Sequence, residues 1–133
     1  MGFFDKIFKT KKDYFRLGIS GEDRLYVQQK WNKVQELVNL GNPSRFKTAI
    51  IEADKILDFV LGKMGYSGSL GEKLSIARDR FVDNRDYRAY NDLWQAHKCR
   101  NRIVHESNYE FLSHEVHDVI SKFESGFKKL GVL

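Results

Sequence analysis

A single cysteine, Cys99, leaves the chain with no internal disulfide and no cysteine-type metal site, so a reducing compartment is the simpler expectation. Only one proline, Pro43, stands in the way of long helices. No apolar run approaches the roughly 18 residues that a membrane span needs, and no signal-peptide pattern is visible. The expected location is the cytoplasm. Repeats, low-complexity tracts and linkers are missing too, so the 133 residues are expected to share one core.

What the chain does have is 41% hydrophobic residues, enough to pack that core, and 31% charged residues, which suit helices with solvated outer faces. Lysine and arginine outnumber the acids by 23 to 18. The resulting charge of +5 favours polyanionic partners by long-range attraction, with RNA, a ribosomal surface and an anionic membrane served alike.

Residues 1–20 read as an amphipathic basic arm in which Phe3, Phe4, Ile7 and Phe8 alternate with Lys6, Lys9, Lys11 and Lys12. The favoured expectation is packing on its own domain or on a partner subunit, since any surface helix is amphipathic. The other is a peripheral membrane contact through residues 1–17, with rings in the headgroup boundary and lysines on anionic lipid. Lys6 stands where a myristoylation signal starting at Gly2 has Ser or Thr.

Residues 21–133 read as a single-domain, all-α antiparallel bundle of about four to five helices. Val27, Trp31, Val34 and Val38 recur at helical spacing and predict a helix over 22–40. The GNPS break, with Pro43 as a helix starter, opens a second over 43–63, whose stripe runs from Phe46 to Met64. Ser69 and Glu72 have capping-box spacing and predict a shorter helix reaching Phe81. After a break at Asn84–Asp86, residues Tyr87, Tyr90, Trp94, His97, Asn101 and Val104 fall at steps of three and four. Val116, Val119, Ile120, Phe123, Phe127 and Leu130 mark the last helix, with Ser113 expected as N-cap and Gly131 as stop.

The chemistry concentrates in HKCRNRIVHE, residues 97–106. Arginine brings a permanent charge and a planar fork for phosphate oxygens, and histidine exchanges protons near neutral pH. Together Arg100 and His105 suit metal-free RNA cleavage, in which the histidine takes the proton of a ribose 2′-hydroxyl and the arginine stabilises charge growing on the phosphate. On one continuous helix, five residues place the two side chains about 140° apart. They meet on one phosphate only if the helix bends or ends between them, or if a second copy supplies the missing partner.

Arg100-Asn101-Arg102-Ile103-Val104-His105, within WQAHKCRNRIVHE and late in an all-helical chain, resembles the signature of the HEPN superfamily. That resemblance implies a metal-independent endoribonuclease and a homodimer that brings two motifs into one cleft. It assigns phosphate stabilisation to Arg100, proton transfer to His105 and their orientation to Asn101. Toxin members imply an antitoxin-like protein partner. In those regulated by a nucleotidyltransferase, tyrosine often stands two residues after the histidine, where this chain has Ser107, with Tyr109 the nearest tyrosine. Other members are non-catalytic modules that bind RNA or nucleotide, and such a scaffold is the alternative function.

Lys98 and Arg102 are expected to bind substrate beside the motif, with Asp54 and Glu106 supporting it. Asp54 lies about 20° outside the apolar stripe of its helix, which leaves pairing with Arg100 or Arg102 and plain surface exposure both open. His97, on the Trp94 stripe, is expected to be a hydrogen-bonded core histidine. Trp31 and Trp94 are expected in the core or a dimer interface. His114 and His117 lack a third ligand, so neither a metal nor a cofactor is expected.

Overall fold

Val27, Trp31, Val34 and Val38, the stripe assigned to the first helix, are all buried on α1 (Gly21–Leu40) in the computed structural model, which describes residues 19–106 and 108–133. The basic arm lies outside the described residues except for Ile19, which is buried, and Ser20, whose hydroxyl caps the Asp23 N–H at 3.0 Å. Gly41 ends α1 in the left-handed region at φ 76°, and Asn42 caps the Arg45 N–H of α2 (Pro43–Lys63) at 3.0 Å. That tight link folds α2 back along α1. Both helices keep the bounds that spacing, proline and glycine predict to within a residue.

Phe46, Ala49, Ile50, Ala53, Ile56, Leu57, Val60 and Leu61 are buried on α2, which packs against α1, α5 (Arg88–His105) and α6 (Ser113–Lys129). Trp31 meets Phe127 of α6 edge-on at 5.4 Å, so this indole belongs to the core. The described residues form an all-α bundle around one hydrophobic cluster.

Two local expectations are corrected. The single helix expected over 69–81 is two, α3 (Leu70–Ile76) and α4 (Arg78–Phe81), with Ala77 as hinge at ψ 0°. Leu74, Ala77 and Phe81 stay buried at steps of three and four across the hinge, so the hydrophobic period conceals it. The N-cap of α6 is Leu112, with Ser113 already helical. Buried Phe111 and the Tyr109 hydroxyl, which donates to Glu115 Oε2 at 2.8 Å, draw the chain inward one residue early.

The expected capping box is present, with the Glu72 N–H donating to Ser69 Oγ at 3.2 Å and the Ser69 N–H to Glu72 Oε1 at 3.3 Å. Ser69→Ala is expected to lower unfolding stability by about 1 kcal/mol in urea titration, and Ser69→Asp, which caps as well, by much less. Equal midpoints for wild type and Ser69→Ala would show that the box contributes nothing.

Candidate functional site

Trp94, His97 and Asn101 lie at steps of three and four on α5, and Arg100 follows His97 by three, so one side of the helix presents all four. α2 places Asp54 opposite them. Asp54 is 4% exposed and His97 8%. The His97 Nδ1 stands 3.1 Å from each Asp54 oxygen. With Asp54 ionised its oxygens only accept, and Nδ1 is then the donor of this pair. The same carboxylate reaches Arg100, whose Nε lies 3.5 Å from Oδ2, while the Arg100 Nη1 donates to Asn101 Oδ1 at 3.1 Å. Burial holds the Asp54 carboxyl pKa above its ordinary value, and the His97 hydrogen bond together with the charges of His97 and Arg100 offsets only part of that rise.

These side chains line an open cleft of about 680 Å³, with Trp94 and Lys98 beside them. Its far wall combines Lys55 and Asp58 of α2 with the loop leading into α3. Lys73 donates to Asp58 at 2.7 Å and ties α3 to α2 at that edge. An apolar indole, three cations and a buried acid–imidazole pair thus face one space. Such a mixture suits a phosphate joined to a flat, stacking group.

The sequence-predicted residues divide. Arg100, Asn101, Lys98 and Asp54 come together in the cleft. Asp54 is buried, not a surface carboxylate, and its cationic partner is Arg100. Arg102 points elsewhere, with Nη2 3.6 Å from Glu106 Oε2 and its guanidinium 4.3 Å above the Tyr109 ring. Glu106 is exposed just past α5, and His105, the last residue of α5, is exposed and does not line the cleft. α5 runs unbroken through Arg100 and His105, so no bend brings the two together within one chain.

Tyr109, stacked edge-on with Phe111 at 4.7 Å, has its phenol pKa pushed up by the hydrogen bond to Glu115. Burial pushes the Cys99 thiol up, away from the thiolate that reactivity requires. Among the described residues no group of three His, Cys, Asp or Glu side chains is placed to hold a metal ion, and His114 and His117 are both exposed.

Sequence reasoning assigns His97 and Trp94 to packing. His97 is buried and hydrogen-bonded as expected, yet it also lines the cleft, and Trp94 is half-buried on the cleft wall. The signal was their spacing from Arg100 and Asn101, which puts them on the motif's own face. No family model, curated protein or solved structure matches this chain.

Proposed function

We propose that the protein is a metal-independent endoribonuclease of HEPN type, working as a homodimer with composite sites. The supporting observation is the Arg100 guanidinium, fixed by Asp54 on one side and Asn101 on the other, in an open cleft beside Lys98 and a half-buried indole. Arginine held in this way clamps a phosphodiester without rearranging, which is how fixed charges lower a barrier. In this reading His105 of a second copy takes the 2′-hydroxyl proton, O2′ attacks phosphorus, and a 2′,3′-cyclic phosphate remains. Two features favour the second copy. His105 diverges from Arg100 by about 140° on an unbroken helix, and the neighbouring Val104 and Leu112, 53% and 61% exposed, offer apolar surface for a partner to cover.

Wild-type protein is expected to cut single-stranded RNA in the presence of a chelator, leaving cyclic phosphate ends, and to sediment as a dimer at high micromolar concentration. RNA binding without cleavage across varied substrates would move the function to a non-catalytic RNA- or nucleotide-binding module. Active protein that sediments solely as monomer would remove the composite site.

A further inference from the structure

RNA cleavage by 2′-hydroxyl attack moves two protons, one off the 2′-oxygen and one onto the departing 5′-oxygen. In the ribonuclease reading, on which this inference rests, His105 takes the first. Arg100 does not release a proton near neutral pH, so it cannot supply the second. We infer that His97 does: its Nε2 is the general acid for the 5′-oxygen leaving group.

The geometry has three parts. First, Nδ1 is committed to Asp54 at 3.1 Å, which orients the ring and leaves Nε2 as the nitrogen to meet a ligand. Second, His97 lines the cleft although it is only 8% exposed, so the ring is sheltered but reachable. Third, Asp54 Oδ2 touches both His97 and the Arg100 Nε, so one buried carboxylate sets acid and phosphate clamp relative to each other. A histidine kept for packing alone has no need to share its anchor with a cleft arginine.

The step balances as follows. O2′ bonds to phosphorus while His105 accepts its proton. The P–O5′ bond breaks, and its electron pair takes the Nε2 proton. A 2′,3′-cyclic phosphate and a 5′-hydroxyl result, with His97 neutral and His105 protonated until water exchanges the proton back.

An RNA oligonucleotide carrying one 5′-bridging sulfur tests this, because a thiolate leaves without being protonated. The variant of choice is His97→Asn, whose amide nitrogen keeps the place of Nδ1 toward Asp54 while Nε2 is deleted. Once thermal melting shows it folded, His97→Asn is expected to cleave ordinary RNA about 10²-fold more slowly than wild type, yet the sulfur-linked RNA within about tenfold. His105→Ala should be slow on both. Equal losses on both substrates would assign His97 a structural role, and wild-type rates on ordinary RNA would remove it from the reaction; either outcome overturns the inference while the nuclease stands. If His97→Asn does not fold, the same comparison is made with His97→Gln, whose amide cannot release a proton to the leaving oxygen, and wild type shows whether any acid acts at all. An enzyme that already protonates oxygen gains little from sulfur, whereas a gain of several orders of magnitude means it has no acid. Wild type that cleaves neither substrate ends the ribonuclease reading, and this inference with it.

Discussion

Arg100→Ala is expected to slow RNA cleavage in chelator by roughly 10²–10³-fold, the scale for removing a group that stabilises transition-state charge. The fold should survive. Arg100 lies outside the hydrophobic cluster, its side chain is 35% exposed, and its 3.5 Å ion pair with Asp54 is longer than the 3.1 Å contacts between Asp54 and His97. His97 remains on Asp54 at 3.1 Å when the guanidinium is gone, so the buried carboxylate keeps a partner. Arg100→Lys should recover only part of the rate, since a point charge replaces a planar fork held between Asp54 and Asn101. Binding separates clamp from proton carrier. Arg100→Ala should weaken RNA affinity and reduce its salt slope by about 1, whereas His105→Ala should cut the rate and leave affinity nearly unchanged. Both variants at wild-type rates with intact folds would refute the motif as the reacting centre.

That experiment targets residues legible in the sequence, but the surroundings that give Arg100 its setting were not. The long helices could be read because their apolar periods, Asn42 and Pro43 at one end, and Gly41 and Gly131 at others all agree locally. The hinge at Ala77 could not, since Leu74, Ala77 and Phe81 keep a helical period on either side of it. Asp54 and His97 are 43 residues apart, and their pairing exists only once α2 packs on α5. Each taken alone has a bland explanation, an acid at a stripe's margin and a histidine on an aromatic face. Arg102 shows the reverse case. Sequence proximity to Arg100 suggested a shared ligand, but two residues on a helix diverge by about 160°, and Arg102 is engaged by Tyr109 and Glu106.

The placement of α5 itself depends on Gly126, and Gly126→Ala is expected to be among the most damaging single-methyl changes in the protein. Within a helix, alanine is ordinarily better than glycine by about 1 kcal/mol, so a glycine in α6 needs a steric reason. A Cβ at Gly126 would sit 2.3 Å from Leu93 Cγ, 2.4 Å from Cδ2 and 2.6 Å from Cδ1. Leu93 is fully buried, one turn before His97 on α5, and the blocking atoms include its branch point, so a rotation of the side-chain tip cannot clear the methyl. Either Leu93 leaves its rotamer or the helices separate. Overpacking of this kind costs about 1–3 kcal/mol net of other changes, and moving α5 shifts Trp94, His97 and Arg100 against Asp54. Gly126→Ala should therefore lower the urea midpoint and, at temperatures where the variant is still folded, also slow cleavage. Leu93→Ala alone should cost about 2–5 kcal/mol through the cavity it leaves. The double variant, with the new methyl entering that cavity, should be markedly more stable than the two losses added together. Gly126→Ala at or above wild-type stability would instead show that helix propensity prevails and that α5 and α6 do not meet this closely.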